Sequence, residues 1–150
     1  MRIMKVKTDG SIKAIYSYQE GKKVYRPLMA SKISAGFPSP AQDYIEGKLD
    51  LNEHLITHPA STFFVRVDGY SMAGAGIMPD DILVVDRALE ATDKRIIIAI
   101  VDGELTVKRL KIVAQDYYLM PENEEFQPLH IHEGVDFAIW GVVTYVIHKV

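Results

Sequence analysis

The sequence of 150 residues contains no cysteine. This absence excludes disulfide bonds, a thiolate nucleophile and zinc sites built on cysteine. Long hydrophobic runs are also lacking, because the longest purely aliphatic run, residues 96–101, is far shorter than the roughly 20 residues of a membrane-spanning helix. No N-terminal stretch has the order of charged, apolar and small residues that marks a signal peptide. We therefore expect a cytoplasmic protein with no membrane partner.

Acidic residues are scarce at one end of the chain. Residues 1–35 contain eight Lys or Arg against two Asp or Glu, a net charge of +6, whereas residues 36–150 carry a net charge of −9. A basic arm on an acidic body can dock on that body, on a partner or on nucleic acid, or it can remain solvated. Sequence-specific DNA binding is not expected, because the positive charges are dispersed and no recognition-helix pattern accompanies them.

The pattern of apolar residues predicts a mainly β protein. From residue 61 onward, short apolar stretches are separated by turn signals such as Asp102-Gly103. Many short strands with one or two short helices indicate a compact, bent antiparallel β fold. The predicted strands are 62–67, 82–86, 95–101, 104–111, 116–120, 128–132 and 137–148.

The N-terminal part of the chain is predicted to be an extended arm followed by a linker. The arm has short apolar stretches on either side of Asp9-Gly10, which favours strands that add to a sheet edge. The linker SAGFPSPA, residues 34–41, contains two prolines and a glycine, so it cannot form a helix or a central strand. Apolar spacing favours a helix over residues 43–58, ended by Pro59. The predicted domains are 1–35, the arm; 36–60, the linker and short helix; and 61–150, the β domain.

The stretch VDGYSMAGAG places a serine at the end of a predicted strand. The polar turn Asp68-Gly69-Tyr70 precedes Ser71, and a run of small residues follows it. Such a serine can be a nucleophile if a base lies close to it. Because serine is also a common helix N-cap, a turn without chemistry is the alternative interpretation.

Histidine is the usual base for a nucleophilic serine, and the chain has five. His130 and His132 alternate along a predicted strand, and His54 and His58 lie four apart in the predicted helix, so each pair shares a face. Neither pair has an acidic partner pattern or an identifiable third metal ligand. Packing or surface roles are favoured for these histidines, and no metal or other cofactor is expected.

Lysine is the other base that the sequence offers. Lys108 lies in the stretch ELTVKRL, where alternation puts it on one strand face with Thr106 and Leu110. Partial burial there would lower the pKa of the amine and leave a neutral group that can accept the serine proton. A lysine that reaches solvent from an edge strand is the alternative interpretation.

Two segments together resemble the LexA/UmuD family of self-cleaving peptidases. These are FFVRVDGYSMAGAGIMPDDILVVDR, residues 63–87, and IIIAIVDGELTVKRL, residues 96–110. The serine followed by methionine, the spacing to the lysine and the VKRL context carry the likeness, which extends over residues 34–148. The resemblance implies a β fold of the LexA/signal-peptidase type. Asp80 and the Asp93-Lys94-Arg95 turn depart from the family, which commonly has glycine at these places.

The resemblance also implies roles for particular residues. Ser71 would be the nucleophile, with its hydroxyl exposed at a strand-to-helix corner, and Lys108 would be the general base. The backbone N–H groups of Ser71 and Met72 would form the oxyanion hole. Members of the family cut their own chain at a bond between a small residue and glycine, which Ala35–Gly36 matches in this sequence. Self-cleavage would then remove the basic arm.

Within this family, the UmuD branch is favoured over the repressors. Residues 1–35 are too short for a helix-turn-helix domain and contain no amphipathic helix. The resemblance implies a homodimer whose cleavage is stimulated by RecA filaments on single-stranded DNA. The cleaved form would serve an error-prone translesion polymerase with a UmuC-like Y-family partner. A divergent self-cleaving repressor, a signal-peptidase-like enzyme and a binding module with a decayed active site are the alternatives.

Overall fold

The computed structural model of the chain describes residues 3–4, 6–29 and 45–150. Contacts divide the chain into a larger unit, Met1–Gln19 with His58–Val150, and a smaller unit, Glu20–Thr57. In chain order the strands are β1 (Ile3–Met4), β2 (Ile12–Ser17), β3 (Tyr25–Met29), β4 (Ile45–Asp50), β5 (Thr62–Val67), β6 (Ile82–Asp86), β7 (Ile96–Val101), β8 (Glu104–Val113), β9 (Asp116–Met120), β10 (Leu129–Ile131) and β11 (Phe137–Ile147).

The larger unit is built on one nine-stranded sheet. Its strand order is β1-β2-β5-β6-β11-β7-β8-β9-β10, and every pair of neighbouring strands is antiparallel. The prediction of a mainly antiparallel β fold is therefore confirmed, and each strand predicted after residue 61 has a counterpart within two residues. In the part of the chain that the structure describes, helical structure is limited to α1 (Leu51–Leu55) and two 3-10 turns, Pro59–Ser61 and Ala73–Ala75. None of the helices in the described ranges is long and apolar enough to cross a membrane.

The N-terminal arm contributes β2 to this sheet, paired along β5 on one side and with the two residues of β1 on the other. β2 lies between β1 and β5, with Ile15 opposite Val65 in the register. Ile12 and Ile15 are 3% and 0% exposed and belong to the main apolar cluster. The predicted addition of arm strands to a sheet edge agrees with this pairing, and the two isoleucines make β2 part of the core.

Apolar side chains are buried on both faces of the central strands. Ile98 belongs to the main cluster, whereas its neighbour Ile97 belongs to a second cluster with Leu110 and Leu119. Successive residues of a strand point to opposite faces, so β7 is covered on both sides. Met72, the residue after Ser71, is 1% exposed within the main cluster, which anchors the chain directly beside the serine.

The predicted helix over residues 43–58 is wrong for most of its length. Residues 45–50 form β4, which pairs with β3 in the smaller unit, and among the described residues 45–58 the α-helix covers only Leu51–Leu55. Asp50 begins this helix, since its side chain accepts a hydrogen bond from the Glu53 N–H at 2.8 Å. Hydrogen bonds from the Val24 and Glu53 N–H groups hold the pKa of Asp50 below its usual value. A cap at this position ends the strand and starts a helix one residue later.

Two positions where the family commonly has glycine adopt left-handed backbone conformations. Asp80 has a φ of 68° and Lys94 has a φ of 71°. Glycine enters this region without the steric cost that a Cβ adds. The Lys94 N–H donates to the Leu110 carbonyl at 2.8 Å, so its turn is fixed to β8 despite the side chain.

Candidate active site

The turn after β5 sets the position of Ser71. Gly69 has a φ of 68°, and its N–H donates to the Asp68 carboxylate at 3.0 Å. The Asp68 N–H donates to the Ser11 carbonyl at 2.9 Å, which fixes the turn to the arm. The chain then enters the 3-10 turn Ala73–Ala75, so Ser71 lies at a corner between a strand and a short helical turn.

The loop that follows β9 packs along the backbone of this corner. The Glu122 N–H donates to the Ser71 carbonyl at 2.8 Å, and the Glu122 carbonyl accepts from the Gly74 N–H at 2.6 Å. Asn123 donates its side-chain amide to the Tyr70 carbonyl at 2.9 Å. Ser71 as a whole is 5% exposed, because this loop covers its backbone on one side, and the residue lines the cleft described below.

The backbone around Ser71 leaves two amides without a bond to the described part of the chain. Ala73, Gly74 and Ala75 donate their N–H groups to the carbonyls of Tyr70, Glu122 and Met72. Over residues 3–4, 6–29 and 45–150, neither the Ser71 nor the Met72 N–H donates a hydrogen bond. Two adjacent free N–H groups beside a serine hydroxyl can stabilise an oxyanion.

Gly74 allows the close approach of the Glu122 backbone to this corner. A Cβ at position 74 would lie 2.6 Å from the Glu122 carbonyl oxygen and 3.3 Å from its carbon.

Gly74→Ala is therefore expected to lower the free energy of unfolding by about 1–3 kcal/mol, because backbone on both sides must shift. Urea unfolding monitored by circular dichroism measures this loss. Gly21→Ala is the matched control, since a Cβ there meets nothing within 4 Å; equal stabilities of the two variants would contradict the expectation.

Lys108 lies on β8, where β7 pairs along one side and β9 pairs from Arg109 onward on the other. Its side chain is 12% exposed, so the interpretation of an edge-strand lysine reaching solvent is wrong and the expected partial burial is confirmed. The Lys108 Nζ donates to Thr106 Oγ1 at 2.8 Å, to the Val107 carbonyl at 3.0 Å and to Asp9 Oδ2 at 3.3 Å. No hydrogen bond joins this nitrogen to Ser71 Oγ in the described structure.

Two opposing influences act on the charge of Lys108. Burial lowers the pKa of the amine below its ordinary value, and the nearby Asp9 carboxylate partly opposes this effect. Burial of Asp9 works to raise its own pKa, but hydrogen bonds from Ser11 and the charge of Lys108 bring that pKa below the usual value. The pair therefore holds a carboxylate against an amine that gives up its proton more readily than an exposed lysine.

Ser71 and Lys108 line the same cleft in the larger unit. The cleft has a volume of about 600 Å³ and is partly open. Its charged lining is mostly acidic, and its apolar lining comes from β7, β9 and the residues around β10. The carboxylates are Asp9, Asp68, Asp102 and Glu104, and the apolar and aromatic residues are Tyr70, Val101, Leu119, Phe126 and Leu129.

Asp9 is a cleft residue that the sequence did not indicate, beyond its place in a predicted turn. Its carboxylate accepts hydrogen bonds from the Ser11 N–H at 3.0 Å, the Ser11 hydroxyl at 2.5 Å and the Thr106 hydroxyl at 2.7 Å. Its contact with Lys108 spans 99 positions of the chain. No local pattern reports such a distant pair.

Two of the five histidines, His58 and His148, contact buried carboxylates that the sequence did not indicate as their partners. His58 Nδ1 lies 2.5 Å from an oxygen of Asp86, which is 4% exposed. His148 Nδ1 lies 2.6 Å from an oxygen of Asp81, which is 2% exposed. These contacts connect β6 and its flanks to the chain before β5 and after β11, so they are structural pairs.

His130 lies in β10, at one end of the strand order, and His132 follows that strand. The centroids of the two rings are 6.2 Å apart. The His130 ring stacks on Tyr118 at 4.7 Å between centroids, and its Nε2 lies 3.7 Å from Asp116. Among the residues that the structure describes, no group of three potential ligands could hold a metal ion. The predicted cleavage site, Ala35–Gly36, lies outside the described residues.

Comparison with known proteins gives matches over most of the chain. Residues 27–144 match the family described as Peptidase S24-like. Protein ImpA of Salmonella typhimurium is 48% identical over 126 residues, which cover 83% of this chain and 84% of ImpA. Protein MucA of Escherichia coli is 45% identical over 120 residues, 79% of this chain and 82% of MucA. Protein SamA of Salmonella typhimurium strain LT2 is 45% identical over 131 residues, 87% of this chain and 91% of SamA.

Proposed function

Since the chain belongs to the Peptidase S24-like family, which confirms its resemblance to the LexA/UmuD proteins, we propose that it is a serine peptidase that cuts its own chain at Ala35–Gly36. Ser71 is the nucleophile and Lys108 is the general base. One observation supports this assignment most. Ser71 and Lys108 line the same cleft, and the lysine side chain is only 12% exposed.

The first step is acylation of Ser71. Neutral Lys108 accepts the proton of the Ser71 hydroxyl while the oxygen bonds to the carbonyl carbon of Ala35. The carbonyl oxygen becomes an oxyanion, and the N–H groups of Ser71 and Met72 donate hydrogen bonds to it. The bond between Ala35 and Gly36 then breaks, and the Gly36 nitrogen leaves as an amine with the proton that Lys108 carries. An ester joins Ser71 to Ala35.

The second step is hydrolysis of that ester. Lys108, neutral again, accepts a proton from water as the water oxygen attacks the ester carbon. The ester bond breaks, Lys108 returns its proton to the Ser71 oxygen, and Ala35 leaves as a carboxylic acid that loses its remaining proton to solvent. Small residues suit the cleaved bond, because the methyl group of Ala35 leaves the carbonyl open to attack and Gly36 permits a tight turn. The products are residues 1–35 and residues 36–150.

The biological setting of this reaction is part of the same proposal. By family, the chain acts in SOS mutagenesis as a homodimer, and RecA filaments on single-stranded DNA stimulate its cleavage. The product that begins at Gly36 serves as a subunit of an error-prone translesion polymerase with a UmuC-like Y-family partner. The identity to ImpA and MucA over about four fifths of the chain supports this setting over that of a repressor.

A mass-spectrometric time course of the purified chain at alkaline pH tests the reaction. The wild type is expected to yield a fragment that begins at Gly36, and Ser71→Ala is expected to stay intact. A parallel incubation near neutral pH with RecA, ATP and single-stranded DNA tests the stimulation. If the wild type stays intact under both conditions, self-cleavage is wrong, and a binding function without catalysis takes its place.

A further inference from the structure

A short segment of the arm covers the edge of β8 beside Lys108. This strap, residues 7–11, is held by hydrogen bonds from the Leu105 N–H to the Lys7 carbonyl at 2.9 Å and from the Asp9 N–H to the Leu105 carbonyl at 3.1 Å. The Val107 N–H donates to the Ser11 hydroxyl at 3.1 Å. The strap therefore takes up the bonding groups of β8 at the positions where β9 does not pair with it.

The strap leaves Lys108 in an arrangement that suits an ammonium group. An ammonium has three N–H donors and no acceptor. The Nζ of Lys108 has three oxygen acceptors in reach, on Asp9, Thr106 and the Val107 backbone. With all three donors used in this way, the nitrogen has no lone pair to accept a proton from Ser71.

We propose that Asp9 is a positioning residue that keeps Lys108 protonated and directed toward Thr106, so that the strap restrains self-cleavage until it leaves the cleft. This inference rests on the proposed function of Lys108 as the general base. The strap lies before residue 27, outside the stretch that matches the peptidase family, so the restraint belongs to the N-terminal arm of this chain.

Hydrogen bonds hold the Asp9 carboxylate in the position from which it contacts Lys108. Ser11 and Thr106 donate three hydrogen bonds to the carboxylate, which fix both of its oxygens. Opposite charge close to a lysine favours its charged form, and this influence acts against the effect of burial on the Lys108 pKa. Burial is already the larger influence on the Lys108 pKa, and removal of the Asp9 charge would leave it unopposed by this carboxylate, so the proton would be released at lower pH.

Other charged groups of the cleft are less well placed to act on Lys108. Asp68 bonds to the Gly69 N–H, Asp102 bonds to the Asp136 N–H, and Glu104 pairs with Lys7 of the strap at 3.4 Å. None of these carboxylates, as described, contacts the Lys108 amine. Asp102→Asn is therefore a matched control, because it removes one negative charge from the same cleft without breaking a contact to the lysine and lies outside the turn that positions Ser71.

The first test compares the rate of self-cleavage across pH for the full chain and its variants. Asp9→Asn is expected to cleave on the order of tenfold faster than the wild type near neutral pH, with its rate profile moved to lower pH. Asp102→Asn is expected to move the profile less, and Asp9→Glu, which keeps the carboxylate, is expected to cleave slowly like the wild type. Asp9→Ala serves as a second variant if Asp9→Asn does not fold, with folding checked by circular dichroism. A rate for the folded variant equal to or below that of the wild type overturns the proposal.

The second test measures the charge of Lys108 without any cleavage. In the Ser71→Ala chain, the titration of the Lys108 side chain is followed by nuclear magnetic resonance with and without Asp9→Asn. The pKa is expected to be lower without the carboxylate, and an unchanged pKa overturns the proposal. If no variant cleaves at any pH, the proposed peptidase function fails, and this titration still decides whether Asp9 holds the proton on Lys108.

Discussion

Lys108→Ala and Lys108→Arg are both expected to slow self-cleavage by about 10² to 10⁴-fold at every pH where the wild type is active, because a general base contributes that much. Alanine has no base, and arginine keeps its proton throughout this range. The arginine variant separates basicity from charge, since it retains a cation in the cleft. Rates are measured as the fraction of chain cleaved over time by mass spectrometry.

The pH profile of the wild type gives the sign of the same effect. Because the neutral amine is the active form, the rate is expected to rise with pH until Lys108 is deprotonated and then to level off. Burial lowers the pKa of Lys108, so the plateau begins below the ordinary range of an exposed lysine. A flat profile from neutral pH to about 10, or an arginine variant as fast as the wild type, counts against a lysine base.

Ile15→Ala is expected to lower the free energy of unfolding by about 2–5 kcal/mol, as for other large-to-small changes in a core. Ile15 is fully buried against β5 and the main cluster, so the change leaves a cavity. Urea unfolding of the full chain, read by circular dichroism, measures the loss. A typical domain has only about 5–15 kcal/mol of stability, so the effect is large.

Lys13→Ala provides the control in the same strand. Its amine pairs with Asp80 at 3.0 Å, and both side chains are more than half exposed. An exposed pair of this kind contributes about 0–1 kcal/mol, so the control is expected to unfold almost as the wild type does. If Ile15→Ala matched Lys13→Ala, β2 would be a loosely attached tail and not a core strand.

The strands were predictable because their signals are local. In β5 through β11 the apolar stretches are bounded by turn residues such as Asp102-Gly103, and the turn there has positive φ at both residues, 48° and 82°. The helix over 43–58 failed because its local pattern is ambiguous. Ile45 and Leu49 fit a helical face, but strands also accept them, and pairing with β3 decides between the two.

The proposed active site was only partly predictable. Ser71 follows a strand and a turn, and Lys108 lies in a strand with a characteristic sequence, so both carried local signals. Asp9 carried no local signal, because its role depends on a contact with Lys108, which lies 99 positions away in the sequence. The His58 and His148 pairs were missed for the same reason, since each carboxylate partner is distant in sequence.

The place of β2 inside the sheet changes the meaning of a cut after Ala35. After the cut, β2 would still be paired with β5, because this ladder and the buried Ile12 and Ile15 do not depend on the peptide bond that is lost. The cleaved arm would remain bound through β2. It would dissociate only when the sheet opens or when a strand of a partner replaces β2. Hydrolysis alone would then not separate the two fragments. The rate at which β2 leaves the sheet would determine when residues 36–150 are free of the arm.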